Sequence, residues 1–209
     1  MREPTPRPGG RTARNREQVL AAVSAELAEN GYDALTIDTV AARAGVHRTT
    51  VYRRWRNVGG LLADVIAAAG DLDWQPRDTG SLTDDLTALN EEIQESLLAQ
   101  PSIAAALIAV SFRSSEAADG LARMWAARYA QCEIVVERAV RRGEIPADTD
   151  PRALLIAATA PIYHCLMLLR TPPDPGLPAR AAASTVTAAR AGAFRAGAPL
   201  HPGSPSPPQ

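Results

Sequence analysis

Hydrophobic residues recur every three or four positions over most of the chain, which is the spacing that places them on one face of an α-helix. The first such series consists of Val19, Leu20, Val23, Leu27 and Ala28. It ends at Asn30-Gly31, where a glycine is suited to close a helix. Strand-forming residues are sparse, and aromatic residues make up only 4% of the sequence. The pattern predicts an all-α fold.

Two short helices are predicted after this first one. Thr36 precedes an amphipathic stretch and is suited to cap it, with Thr39 three residues further on. Gly45 interrupts the pattern, and a third helix is predicted from about residue 47 to residue 55. Two short helices separated by a glycine-bearing turn are typical of a helix-turn-helix motif.

One face of the third helix is strongly cationic. Val51 and Trp55 share the inward face, and the opposite face carries Arg48, Thr49, Tyr52, Arg53 and Arg56. An ordinary solvated helix mixes both charges, but no acidic residue occurs between Asp38 and Asp64. Arginine can donate two hydrogen bonds to guanine in the major groove, and threonine offers a methyl group and a hydroxyl. The face therefore indicates a nucleic-acid-binding surface.

The distribution of charge favours the same interpretation. All 22 basic residues are arginine, which codon usage alone can explain. Residues 1–56 contain ten arginines and six acidic residues, a formal charge of +4, and the rest of the chain carries −5. Although chance can produce such an asymmetry, a basic first part on an acidic body favours a polyanionic partner for the first part only.

Residues 35–55, LTIDTVAARAGVHRTTVYRRW, resemble the DNA-binding domain of the TetR family of bacterial transcriptional regulators. The resemblance rests on Thr36, the Ala44-Gly45-Val46 turn, Thr50-Val51-Tyr52 and Trp55, and it covers roughly residues 11–70. The residues expected at the DNA are Thr36, Arg43, His47, Arg48, Thr49, Thr50, Tyr52, Arg53 and Arg56. Two departures stand out, because Val58 occupies a position where the family often has a cation, and Gly59-Gly60 predicts a looser start of the fourth helix.

The resemblance implies about nine helices. The two cysteines, Cys132 and Cys165, form no disulfide or zinc pattern in the sequence, so a reducing cytoplasm is expected. Four segments are expected along the chain. These are a disordered arm (1–10), a helix-turn-helix domain (11–57), a helical effector-binding and dimerisation domain (58–196) and a disordered tail (197–209). The resemblance also implies a homodimer that binds a palindromic operator in double-stranded DNA. The expected output is repression that a small-molecule effector relieves. A DNA-binding regulator without an effector remains an alternative.

Two helices of the body, predicted at 152–169 and 179–196, have broad apolar and alanine-rich faces. Such faces favour a four-helix seam between two copies of the chain. Residues 153–169 contain no charged side chain, but this is at the short end for a membrane span. Because the stretch also contains Pro161 and His164, we expect a buried helix that proline kinks or splits, and no membrane association.

Large side chains in the body are candidates to line an effector pocket, although ordinary cores use the same residue types. They are Phe112, Met124, Trp125, Tyr129, Tyr163, His164 and Met167.

Enzymatic chemistry is not indicated by the sequence. Cys165 and His164 are adjacent, so on a helix their side chains point about 100° apart. The sequence shows no glycine-rich phosphate loop and no cluster of metal ligands. We expect no cofactor and no bound metal.

Overall fold

The computed structural model describes residues 9–70, 74–100 and 102–195. Over these residues the chain forms nine α-helices, one π-helical segment and no β-strand, which confirms the expected all-α fold. Residues 1–8 of the expected arm and the expected tail at 197–209 lie outside the described residues. Residues 9 and 10, the end of that arm, belong to the first helix.

The helices follow one another with short connections. They are α1 (Gly9–Asn30), α2 (Ile37–Ala44), α3 (Arg48–Trp55), α4 (Val58–Gly70), α5 (Leu82–Leu98), α6 (Ile103–Ser111), α7 (Ser115–Arg141), α8 (Pro151–Tyr163) and α9 (Leu177–Arg190). The π-helical segment His164–Leu169 continues directly from α8. The predicted helix-turn-helix is therefore formed by α2 and α3, each eight residues long.

Local chemistry fixes both ends of α2. The Thr36 hydroxyl accepts a hydrogen bond from the Thr39 amide, and the Thr36 amide donates to the Thr39 hydroxyl, each at 3.0 Å. This reciprocal pair is a capping box with threonine in the place of glutamate. At the other end Gly45 has a φ of 64°. Its amide bonds to Ala42 and the Val46 amide bonds to Ala41, so the glycine turns the chain towards α3.

The described residues divide into two compact units that do not follow chain order. Within the described residues, one comprises 9–70, 74, 95–100 and 102–128, and the other comprises 75–94 and 129–195. The first unit contains the helix-turn-helix together with α4, α6 and the first half of α7. A single apolar core joins these elements, and its members include Val23, Val40, Val51, Leu62, Leu107, Val110 and Leu121.

The second unit is built around the first part of α5, the second half of α7, α8 and α9. Its fully buried side chains include Leu82, Leu86, Val135, Leu154, Leu155 and Ile162. Asp85 is also buried there, and its carboxylate accepts hydrogen bonds from the Thr79 amide, the Thr79 hydroxyl and Arg142 at 2.6–3.1 Å. These donors satisfy an anion that burial alone would destabilise.

The last helices differ in detail from the prediction. Pro161 lies within α8, and the helix neither breaks there nor ends, but widens into a π-helix three residues later. Helix α9 ends at Arg190 and not at residue 196. The Gly192 and Ala193 amides bond back to Ala189 and Ala188, and this pair of bonds terminates the helix.

The helical stretch Pro151–Leu169 is long and apolar enough to cross a membrane, judged by length and composition alone. Within the second unit it packs against α9, and Leu154, Leu155, Ala158 and Ile162 are fully buried there. One face of the stretch is therefore packed, whereas Ile156, Leu168 and Leu169 remain exposed.

Candidate nucleic-acid interface

Helix α3 separates its side chains into two faces, as predicted. Val51 and Trp55 are buried, with 0% and 8% of their surface exposed. The opposite face is exposed and carries Arg48, Thr49, Tyr52, Arg53 and Arg56, and Thr50 beside it is half-buried. The Tyr52 ring remains 46% exposed, which is uncommon for a large aromatic side chain without a partner. Burying the apolar face against α2 and α4 therefore leaves the cationic face exposed.

Thr36 and His47 lie at the first residues of the two short helices. Thr36 caps α2, and His47 is the residue that caps α3. The His47 Nδ1 atom lies 2.9 Å from the Thr49 hydroxyl and accepts from the Thr49 amide at 3.5 Å. Both side chains position their helices and remain exposed.

Arg43 is held differently from the arginines of α3. Its Nε donates to Glu26 at 2.6 Å, and its two terminal nitrogens donate to Glu29 at 3.0 and 2.6 Å. These hydrogen bonds raise the pKa of Arg43, and the bonds that it donates to Glu29 raise it most. Because the guanidinium already bridges α1 and α2, the expected assignment of Arg43 to DNA is not favoured, and the geometry indicates a structural role.

The arginines of α3 lack comparable partners in the part of the chain that the structure describes. Arg53 and Arg56 form no ion pair there, and Arg48 approaches Asp38 only at 3.9 Å, with both side chains mostly exposed. Arg54 lies over the Trp55 ring, 5.2 Å from its centroid. Arg56 closes α3 with a φ of 57°, a conformation that only few non-glycine residues adopt. The face therefore carries uncompensated positive charge.

A cleft of about 520 Å³ lies beside this face, between α1 and α3. Its lining is partly cationic and partly hydrogen-bonding, and consists of Thr12, Asn15, Arg16, Val19, Val46, Thr50, Arg53, Arg54 and Trp55. Sequence reasoning included Thr50 and Arg53 but missed Thr12, Asn15 and Arg16. These three lie on α1, and no local pattern indicates that α1 meets α3 at this point.

The start of α4 shows why two glycines follow Val58. A Cβ at Gly60 would lie 2.6 Å from the Trp55 carbonyl oxygen, and a Cβ at Gly59 would lie 2.9 Å from the Glu116 carboxylate. Val58 is half-buried and packs against the core of the first unit. The glycines therefore allow α4 to start close against the end of α3 and the first turn of α7, and the helix start is closely packed where the sequence suggested looseness.

The first unit contains three of the seven candidate effector residues. Met124 and Trp125 are partly buried and pack against its core. Phe112, at the end of α6, is 79% exposed, so its ring faces solvent in the single chain and not an interior. This placement argues against Phe112 as a lining residue of an enclosed pocket.

The second unit contains the other four. The Tyr129 hydroxyl lies 3.1 Å from the Thr159 hydroxyl, and the Arg152 guanidinium lies over the Tyr129 ring. Tyr163 and Met167 are half-buried, whereas His164 is exposed. Among the residues that the structure describes, no three His, Cys, Asp or Glu side chains are grouped in a way that could hold a metal ion.

Two family models match this chain, one in its N-terminal part and one in its C-terminal part. The family model described as "Bacterial regulatory proteins, tetR family" matches residues 19–65, which include α2 and α3. The model described as "Tetracyclin repressor-like, C-terminal domain" matches residues 76–185.

Individual relatives agree with these matches. The HTH-type transcriptional regulator AqdR of Rhodococcus erythropolis is 33% identical over 82% of this chain and 83% of its own length. The DNA-binding transcriptional repressor TetR of Mycobacteroides abscessus is 32% identical over 73% of this chain and 83% of its own. Among solved structures, the SmeT–triclosan complex shares the fold, with a TM-score of 0.57 and 20% identity over 93% of this chain and 99% of that one.

These matches cover both the DNA-reading helices and the helical body, and the proteins they name are transcriptional regulators. They confirm the expectation that the chain is not an enzyme. The acid-free arginine face of α3 lies where such regulators have their helix-turn-helix. The chain belongs to the TetR family of bacterial transcriptional regulators.

Proposed function

We propose that this protein is a homodimeric repressor that binds a palindromic operator and leaves it when a small-molecule effector binds the helical body. The observation that carries the proposal is the exposed face of α3, where Arg53 and Arg56 form no ion pair among the described residues and Arg48 reaches Asp38 only at 3.9 Å. A helix of this kind fits the major groove, where its exposed side chains meet base edges.

Within this proposal the residues of the face have different tasks. Arg48, Thr49, Tyr52 and Arg53 point away from the core and are the candidates to contact bases, with Thr50 at their edge. Arg56, at the end of α3, is assigned to a phosphate. The cleft between α1 and α3 adds Thr12, Asn15 and Arg54 as further donors for the DNA backbone. Thr36 and His47 orient the two short helices and lie at the same surface.

A homodimer is supported by the apolar surface of the last helices. Ile156 on α8 is 44% exposed, and Leu168 and Leu169 on the π-helical segment are 67% and 58% exposed. Exposed aliphatic side chains of this kind favour burial against a second copy of the chain. A two-fold dimer would present two recognition helices to half-sites about one helical turn, roughly 34 Å, apart.

An effector is supported by the family and by the aromatic residues of the body. SmeT, which shares the fold, has been solved as a complex with triclosan. In this chain Met124 and Trp125 in one unit, and Tyr129, Tyr163 and Met167 in the other, are partly buried candidates for contact with an apolar ligand. We place the protein in the cytoplasm, where it would meet both DNA and metabolites.

The decisive experiment is selection of genomic DNA fragments by the purified protein at near-physiological salt, followed by sequencing. We expect a short palindrome. Tyr52→Ala should lose specific binding to it while the oligomeric state stays the same, and Arg123→Ala, an exposed arginine on α7, is the matched control. Recovery of unrelated sequences with a steep salt dependence would indicate that the arginine face binds phosphates only.

The dimer and the effector need separate measurements. Light scattering after size exclusion should give a molar mass twice that of the chain. The variant that combines Leu168→Asp with Leu169→Asp should have the mass of a single chain. A screen for ligands that raise the melting temperature and release the operator tests the effector. Ligands that do neither, across the chemical classes tested, would favour the alternative of a regulator without an effector.

A further inference from the structure

Asp64, on α4, joins three helices of the DNA-binding unit through one carboxylate. Its Oδ2 atom accepts from the Trp55 indole nitrogen at 2.8 Å and from Arg16 Nε at 3.1 Å. Its Oδ1 atom accepts from Arg16 Nη2 at 2.5 Å. The Asp64 side chain is only 23% exposed. The recognition helix, through Trp55, and α1, through Arg16, therefore share one acceptor group on α4.

The position of Trp55 gives this bond its importance. Trp55 is the last residue of α3, three residues after Tyr52 and two after Arg53. Its ring is buried, but apolar packing tolerates small rotations of a helix about its axis. A hydrogen bond to a charged acceptor is directional, so it selects one rotation. Fixing Trp55 therefore fixes the direction in which Tyr52 and Arg53 point.

The carboxylate is held as an anion. Burial alone would raise the pKa of Asp64, but the hydrogen bonds from Arg16 and Trp55, with the charges of Arg16 and Arg54, outweigh it and lower the pKa. The same part of α4 also lies against α7, since a Cβ at Gly120 would be 3.2 Å from the Cα of Ala63. Helix α4 thus contacts α7 at Ala63 and bonds to α3 and α1 through the neighbouring residue Asp64.

We propose that Asp64 is the positioning residue of helix α3, and that its hydrogen bond to Trp55 sets the orientation of α3 that specific DNA binding requires. The inference rests on the proposed operator binding. A positioning role for Asp64 and a purely stabilising role predict different measurements. A stabilising pair would change the free energy of unfolding alone, whereas a positioning residue changes the ratio of specific to non-specific affinity.

The test uses the full chain, the operator recovered by selection and a scrambled duplex of the same length. Asp64→Asn keeps the size of the side chain but removes its charge, and Trp55→Phe removes the indole donor while keeping a smaller aromatic ring in the core. Each should weaken operator binding about tenfold, the value of one charge-assisted hydrogen bond, without lowering affinity for the scrambled duplex. Glu17→Gln, an exposed carboxylate next to Arg16, should change neither affinity.

A double variant separates coupling from two independent effects. If Asp64 acts through Trp55, the combination of Asp64→Asn and Trp55→Phe should bind the operator no more weakly than the weaker single variant. Thermal unfolding curves define a temperature at which every variant is folded. Should Asp64→Asn not fold, the affinity ratio of Trp55→Phe decides the question alone.

The outcomes distinguish the two proposals. If the wild type selects no specific sequence, operator binding fails and the positioning role fails with it. If the wild type binds its operator, and Asp64→Asn and Trp55→Phe keep the wild-type ratio of affinities, only the positioning role is overturned.

Discussion

The chain has two regions rich in arginine, and they differ in where the acidic side chains lie. In the second unit, Arg142 pairs with Glu144 at 2.6 Å, Asp85 at 3.1 Å and Asp78 at 3.4 Å. On α3, Arg53 and Arg56 have no such partner among the described residues. The same residue type thus stabilises one unit and leaves a charged surface on the other. A cluster of arginines indicates an interface only when the fold leaves its charge uncompensated.

The largest effect is expected at the paired region. Asp85→Ala removes the acceptor of three hydrogen bonds from the interior and should lower the free energy of unfolding by about 3 kcal/mol. Glu91→Ala, an exposed acid on the same helix, should change it by less than about 0.5 kcal/mol. Urea unfolding of both variants checks the prediction. Equal stability of the two would show that the Asp85 cluster contributes nothing to stability.

At the uncompensated region, the expected change is in binding. Arg53→Ala should weaken operator binding between about 10- and 100-fold, the range for losing one bidentate contact to a base, with unfolding unaffected. Arg53→Lys should recover only part of the loss, because lysine cannot form the two parallel bonds. Titration of labelled operator gives the affinities. A full recovery by lysine would mean that Arg53 meets a phosphate and not a base.

Substitution of Arg56 should have a smaller effect on DNA affinity, and one that does not depend on sequence. Arg56→Ala should weaken binding to all sequences alike and reduce the dependence of log K on log salt by about one unit. Arg56→Gly should give the same salt dependence, but a chain more stable than the alanine variant by about 1 kcal/mol, since glycine tolerates the positive φ. Loss of specificity in either variant would move Arg56 to the base-contacting set.

The smallest effect concerns Arg43 and the response to acid. The pKa of Glu26 is lowered by hydrogen bonds from Asn30 and Arg43, and that of Glu29 by its bonds to Arg43. Their stabilisation is therefore present above the unfolded-state pKa of about 4.3 and is lost as pH falls through the folded values.

Arg43→Gln tests this by unfolding between pH 7 and pH 3. The wild type should lose more stability on acidification than the variant does. Operator affinity at pH 7 should stay the same, because Arg43 is assigned a structural role. A large loss of affinity would return Arg43 to the DNA-binding set.

The local elements could be predicted from the sequence because their signals are local. The Thr36–Thr39 cap, the turn at Gly45 and the inward pair Val51 and Trp55 depend on spacings of a few residues, and all are confirmed. The opposite face of α3 follows from the same periodicity. Where the last helices end was less predictable, because alanine-rich stretches carry little information about termination.

Only the tertiary structure decided which charges are paired. Arg43 meets glutamates 14 and 17 residues away, and Asp64 meets Arg16 across 48 residues. Helical periodicity gives the face on which a residue lies, but it does not give the element that packs against that face. Which arginines are paired and which remain exposed therefore depends on the path of the whole chain. The existence of α3 and of its cationic face, by contrast, was determined by the sequence itself.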